Sequence, residues 1–389
     1  MTILLVGWDS FGLAYIVETF IEKGYVVDFF DFPIQEQNPR HNPQMGEKLI
    51  NRLVQNDYAF VFSINYIPVV SLACNACRVK YVSWTYDSPY AALYSRTISY
   101  PYNYAFIFDM DTYLDLKRKG AETVYYLPMA APVEIYDSLV PTEEQRAEYT
   151  SDIAFVGSTY NEKKNRLYEY TEGVSEFSRG YMEGIMQAQK RIYGKFILDK
   201  MLVPIIPELE KVCPVPLYPD DTRTQEWYYA RYLLARKVTA MEREEVLQML
   251  GKKHQVHLYT HLKTPELTNV INKGYASSSH DAILIYKCAK INLNITLRSI
   301  VTGIPLRIME IMGSGGFVIS NYQEDILQHF VPGEDIVLYS DYEDLKKKVD
   351  YYLTHEEERK QIARNGYEKV KMYHTYDKRI DEILRIIND

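Results

Sequence analysis

"INLNITLRSIVTGIPLRIMEIMGSGGFVIS", residues 291–320, decides how the chain is to be read. It opens in strict alternation: Ile291, Leu293, Ile295 and Leu297 are apolar, whereas Asn292, Asn294, Thr296 and Arg298 are polar. A period of two describes a strand. Strands of doubly wound sheets are usually apolar on both faces, so the polar face implies an edge strand with one wet side, or a site. Ligands of such sheets bind beyond the carboxyl ends of the strands, which is where Thr296 and Arg298 fall. The run "IPLRIMEIM" that follows is apolar except for Arg307 and Glu310, three residues apart and so on one face of a helix. A helix apolar on most sides is a buried one, and charges are rarely left there without a partner. Either these two form a private salt bridge or they serve a ligand. Pro305 suits the first turn of the helix, and "GSGG" lets backbone approach closely before the strand "FVIS". An ionised carboxylate accepts two hydrogen bonds from vicinal hydroxyls, as acidic residues do for ribose in dinucleotide sites.

Outward from this stretch the chain alternates between strand and helix patterns. In the first third, "TILLVG", "YVVDFFDF", "YAFVFSI", "KYVSW", "YAFIFD" and "TVYYLP" are β-rich runs. They are separated by helical patterns in "FGLAYIVETFIEKG" and at about 45–56, 67–77 and 111–119. Alternation of this kind predicts right-handed crossovers and a parallel sheet. "GWDSFG" has only the outer glycines of a dinucleotide fingerprint. The polar stretch "EIYDSLVPTEEQRAEYTS" is the expected domain junction, after which the pattern restarts with "DIAFVGS". Residues 176–253 read as helical throughout, strands return at "QVHLYT", "KINLNIT", "FVIS" and "DIVLY", and three charged amphipathic helices close the chain. The reading is α/β, with domains at 1–140 and 141–370, a helical insertion in the second, and a last helix over 371–389 that crosses back to the first.

Composition narrows the function. At 389 residues the chain exceeds the size at which one core stops growing. A net charge of −8 with no dense basic stretch argues against a nucleic-acid partner. The apolar run of "MTILLVGWDSFG" is too short for a signal or a membrane span, and no later stretch is long enough, so a cytoplasmic protein without an integral membrane segment is expected. Four cysteines in a chain this long make no disulfide framework. The "DMD" at Asp109–Asp111 has the form of a metal-binding pair of carboxylates, but it falls at a strand-to-helix turn, where Asp111 is expected as helix N-cap.

The segments "FVGSTYNEKKNR", residues 291–339, and "YYLTHEEERKQIARNGYEKVKMYHTYDKRIDEIL" resemble the CgeB-like glycosyltransferases, bacterial relatives of the GT-B glycosyltransferases. "VSWTYDSPY" and "FIFDMDTYLDLKRKGAETVYYLPMAA" resemble their N-terminal domain. The resemblance implies GT-B architecture, two Rossmann-like domains facing across a cleft, with the nucleotide-sugar held mainly by the second. It implies transfer of a sugar from a nucleoside-diphosphate donor, expected to be a UDP-sugar, to an acceptor hydroxyl, with retention and without a metal or other cofactor. The alternatives are a non-catalytic nucleotide- or sugar-binding scaffold and a nucleotide-sugar epimerase.

Carried onto this sequence, the resemblance places Glu310 on the ribose hydroxyls and Gly315 and Gly316 against the nucleotide-sugar. Lys164, Arg298 and Arg307 become candidates for the diphosphate, and Gly157, Asn294 and Thr296 complete the donor-binding set. Arg298 and Arg307 are also catalytic candidates, by stabilising the departing diphosphate. Asp87 in "WTYDSPY" joins them as a residue that orients the acceptor hydroxyl or acts as base; a turn-forming aspartate before Ser-Pro is the plainer alternative. One departure stands out. Many members of the wider superfamily carry a second glutamate eight positions before the ribose-binding one, and here that position is Thr302.

Overall fold

The computed structural model describes residues 1–7, 10, 12–32, 38–215 and 217–389. Trp8, Asp9 and Phe11 of the "GWDSFG" stretch lie outside the described residues. Two compact units are present. The first comprises Met1–Met129, Leu217–Arg223 and Thr375–Asp389, and the second Ala130–Pro216 and Thr224–His374. The division falls at Met129, earlier than the polar stretch suggests. The residues just after it, Ala130 and Ala131, are fully buried, and the Ala131 N–H donates to the His374 carbonyl within the second unit. The polar stretch itself folds into the short helices Val133–Ser138 and Glu143–Tyr149, the latter with a Thr142/Gln145 capping box.

The first unit is built on β1 (Thr2–Gly7), β2 (Val26–Asp31), β3 (Val61–Ile64), β4 (Tyr81–Thr85), β5 (Asn103–Ile107) and β6 (Val124–Tyr126). They form one sheet in the order β2-β1-β3-β4-β5-β6, every pairing parallel. β3 and β4 are buried along their whole length, as strands covered on both faces must be, whereas β2 at the edge has no fully buried residue. The helices Leu13–Glu22, Pro43–Gln55, Pro68–Cys77 and Met110–Arg118 fall where their periodicity predicts. Asp109, not Asp111, occupies the N-cap position of the last of these; the helix starts two residues early and leaves Asp111 in the first turn, where a negative charge faces the positive end of the helix dipole.

The second unit carries β7 (Ile153–Val156), β8 (Val256–Tyr259), β9 (Ile271–Gly274), β10 (Ile291–Asn294), β11 (Val318–Asn321) and β12 (Val337–Tyr339). Their order, β12-β11-β10-β7-β8-β9, is that of the dinucleotide-binding sheet, again all parallel. β10 is therefore central, flanked by β7 and β11, and not an edge. Its polar side chains are buried and bonded inside: Asn292 Nδ2 donates to the Tyr286 and Phe317 carbonyls. The strand also ends at Asn294, so Thr296 and Arg298 lie in the irregular segment beyond it.

The insertion is less regular than its periodicity suggests. Helices Glu176–Lys190 and Ala235–Gly251 bracket shorter pieces, with breaks at 191–197, where Gly194 has φ of 72°, and at 213–215 and 217–224, which contain Pro214 and Pro219. It keeps an apolar core of its own, including Met182, Leu198, Leu202, Tyr229, Leu234 and Val238. Tyr342–Thr354 and Glu356–Tyr373 end the second unit, and Tyr376–Asn388 belongs to the first. No helix among the described residues is long and apolar enough to cross a membrane.

Candidate functional site

In the second sheet the direction in which successive strands are added reverses between β7 and β10, and a doubly wound sheet opens a crevice at the carboxyl ends of such a pair. Gly157 follows β7 there, and Asn294 ends β10. The loop after β10 leads into the helix Leu306–Gly313, whose Ile308, Met309, Ile311 and Met312 are buried and fix its rotation. This turns Arg307 and Glu310 toward the same corner.

Arg307 is half-buried. Its Nη1 donates to Asn294 Oδ1 at 3.3 Å, and its guanidinium lies 5.3 Å from the centre of the Phe155 ring. Gly157 makes room for it: a Cβ there would stand 2.4 Å from Arg307 Nη2, and the φ of 146° also suits glycine. Asn294 is held in turn by Nδ2 bonds to Thr296 Oγ1 and Ser320 Oγ, both 2.9 Å, and the Thr296 N–H donates to Asn321 Oδ1. Asn294 and Thr296 thus act from within, as a buried bracket behind Arg307.

The two charges of the helix do not pair. Among the described residues no carboxylate stands within ion-pair distance of Arg307, and Glu310 accepts no hydrogen bond. Glu310 is only 8% exposed, and burial pushes its carboxyl up to about 7, with Arg307 opposing the shift. An unpaired carboxylate in this position is expensive, which is why its proton is held so firmly.

Arg243, on the helix Ala235–Gly251, adds a second cation that the sequence reading missed. It is 3% exposed, donates to the carbonyls of Ser158 and Ile295 just beyond β7 and β10, and lies over the rings of Phe155 and Tyr160. Burial lowers its pKa to about 10, and no described carboxylate forms an ion pair with it. A signal was available. Glu242 and Arg243 sit at helical spacing on the stripe of Val238, Thr239, Val246 and Leu250, a place where charges need a purpose.

Other candidates fall elsewhere. Arg298 is fully engaged in the frame: it grips Glu242 with two bonds of 2.8 and 2.9 Å, donates to the Lys190 and Ile192 carbonyls, and stacks on Tyr193. This ties the insertion to the end of β10 and commits four of its five guanidinium N–H groups to the frame. Gly315 and Gly316 precede β11, at the amino ends of the strands, opposite the crevice. Gly316 is needed for packing, since a Cβ would lie 2.7 Å from the Tyr286 carbonyl and 2.8 Å from Asn292 Nδ2. Lys164 is exposed on the turn Lys163–Asn165, without a described acidic partner. Asp87 belongs to the first unit, beyond β4, where Asn65 Nδ2 donates to its Oδ2 at 2.8 Å. No three described His, Cys, Asp or Glu side chains are grouped to hold a metal ion.

Residues 236–385, which include Arg243, Arg307 and Glu310, match the family described as "Glycosyl transferase-like". Solved structures resemble the whole chain. Sucrose-phosphate synthase from Thermosynechococcus elongatus matches with a TM-score of 0.58 at 11% identity, covering 100% of this chain and 99% of its own. The fold is GT-B. HepE of Anabaena, solved in complex with UDP and glucose, matches with a TM-score of 0.56 at 10% identity, over 100% of this chain and 99% of its own. A glycosyltransferase from Rickettsia africae gives 0.56 at 11% identity, over 99% and 97%. At these identities the likeness is one of fold. No curated protein matches the sequence.

Proposed function

We propose that this protein is a CgeB-like glycosyltransferase that moves a sugar from a nucleoside-diphosphate donor to an acceptor hydroxyl, with retention and without a metal ion. The observation that carries the proposal is Glu310, a nearly buried carboxylate with no partner among the described residues, one turn from an arginine it does not pair with. Vicinal ribose hydroxyls would give the carboxylate two donors at once. Arg307, braced by Asn294 and backed by the field of Arg243, would meet the diphosphate, and the same charge stabilises the diphosphate as it departs. Gly157 lets the Arg307 guanidinium lie against the end of β7, and the exposed Lys164 on the turn that follows would add a further cation for the phosphates. UDP is the expected nucleotide, in keeping with the UDP complexes of HepE.

Thr302, standing where many superfamily members have a second glutamate, favours one other reading, a scaffold that binds the donor without turning it over. The experiment is a thermal-shift panel of nucleotide-sugars followed by product analysis. A ligand of the native state raises its melting temperature by mass action. Stabilisation by UDP and UDP-sugars with release of UDP supports transfer, stabilisation without turnover supports the scaffold, and a changed sugar still on its nucleotide identifies an epimerase. No stabilisation by any nucleotide-sugar removes the proposal.

A further inference from the structure

Beyond the carboxyl ends of the first sheet, the polar groups are organised by a residue the sequence reading passed over. Asn65 follows β3 directly, next to the point where the β1 and β3 connections diverge. It is 3% exposed and holds φ at 60°, a left-handed conformation uncommon for residues with a side chain and adopted most readily among them by asparagine and aspartate. Its side chain is spent entirely on the turn after β4. Oδ1 accepts from the backbone N–H groups of Tyr86 at 2.9 Å and Asp87 at 3.2 Å, while Nδ2 donates to Asp87 Oδ2 at 2.8 Å. Asp87 is exposed, although Asn65 below it and Thr85 two residues before it are buried.

A surface carboxylate normally keeps its rotamers and is oriented by water. Here a buried amide in an uncommon backbone state fixes one, at the ligand end of a parallel sheet, and such states concentrate where function requires them. The geometry points to Asn65 as the positioning residue of an acceptor-hydroxyl site in the first unit: it holds the Asp87 carboxylate so that this accepts a hydrogen bond from the hydroxyl to be glycosylated. The inference rests on the glycosyl-transfer reading above and names no new chemical step. It assigns the orientation of the acceptor, a hydroxyl-bearing molecule, to Asp87 and that of Asp87 to Asn65.

The test uses the full chain with UDP-glucose as donor, and glycerol, methyl glucosides and short oligosaccharides as hydroxyl probes, reading UDP release. Asn65→Asp keeps both acceptor bonds to the backbone and tolerates the same φ, but replaces the donor to Asp87 with a second carboxylate. It is expected to cut the acceleration by a hydroxyl probe about tenfold or more, while the melting shift produced by UDP stays that of wild type. The exchanged pair Asn65→Asp/Asp87→Asn restores a donor facing an acceptor. It should recover any melting temperature lost in Asn65→Asp without recovering transfer, because position 87 no longer bears the charge. If Asn65→Asp does not fold, Asn65→Gly, which keeps the backbone state and removes the side chain, takes its place with the same expected loss. The inference is overturned if either single variant transfers as wild type does, if the exchanged pair restores transfer, or if no probe accelerates UDP release from wild type. Failure of UDP to stabilise wild type would instead overturn the donor reading beneath it.

Discussion

Replacing Glu310 with glutamine separates the ligand reading from every structural one, because the two predict opposite signs. The folded carboxyl titrates near 7 against an ordinary value of 4.5, mainly through burial. Its folded pKa is raised, so the native state binds the extra proton between those values, and stability falls as pH climbs from about 4.5 to 7. A shift of this size, at 1.36 kcal/mol per unit, costs the empty protein up to about 3 kcal/mol above pH 7. Glu310→Gln carries no charge to bury. At pH 8 it should melt higher than wild type, and near pH 4 the difference should vanish. Ligand reverses the preference. Hydroxyls donating to Glu310 favour the ionised form, so UDP binding near pH 6.5 should release a proton. Calorimetric titration in two buffers of different ionisation enthalpy reads that proton directly. Wild-type affinity should rise with pH toward 8, whereas Glu310→Gln should bind UDP with no such rise and more weakly at pH 8 by roughly 1.5–3 kcal/mol. A variant that melts lower than wild type at pH 8, or that binds UDP with the wild-type pH profile, would refute the reasoning.

Three further outcomes follow from the same geometry. Arg307→Ala should weaken UDP by more than about tenfold while leaving uridine affinity nearly unchanged, as measured by titration with each; equal losses would assign Arg307 to folding instead. Arg298→Ala leaves the buried Glu242 with only the Tyr193 hydroxyl and no cation, and should cost about 3–5 kcal/mol in denaturant unfolding, with UDP affinity of the folded protein unchanged. UDP release from UDP-glucose should survive EDTA, because Asp109 sits 1% exposed and accepts the Thr112 hydroxyl in its helix cap; abolition by chelator with rescue by manganese would restore the metal role of the "DMD" pair.

Much of the fold was legible because buried parallel strands write themselves as short apolar runs. Eleven of the twelve strands coincide with such runs. The exception, β9, has the sequence INKG and lies at the sheet edge with two of its four residues exposed, so no apolar pattern was there to read. The alternation in 291–298 was visible but its cause was not. A polar face on a strand looks the same whether it meets water or, as here, the Tyr286 and Phe317 carbonyls and the Arg307 side chain. Arg298 shows a second limit. Its partner Glu242 is 56 residues away, on the helix Ala235–Gly251, and although the stripe marks Glu242 as buried, only the folded chain shows which cation it meets, at 2.8 Å. Asn65 gave no signal at all, because a left-handed backbone leaves no periodicity in the sequence.

The charges of this protein are not paired carelessly. Where the frame calls for it, Arg298 meets Glu242, and in the first unit Arg40 meets Asp221, with all four side chains at most 6% exposed. Arg307 and Glu310 are only three residues apart on one helix, a spacing at which opposite charges readily join. They remain apart, while Arg243 stays buried nearby without an acidic partner among the described residues. Had the pair closed, it would have lowered the cost of both charges and removed both from any ligand. Held open, the site offers positive charge on one side and an acceptor of hydroxyl protons on the other. A nucleoside diphosphate answers both demands within one molecule, its phosphates to the arginines and its ribose to the carboxylate, which is why binding and loss of the Glu310 proton are expected to be a single event.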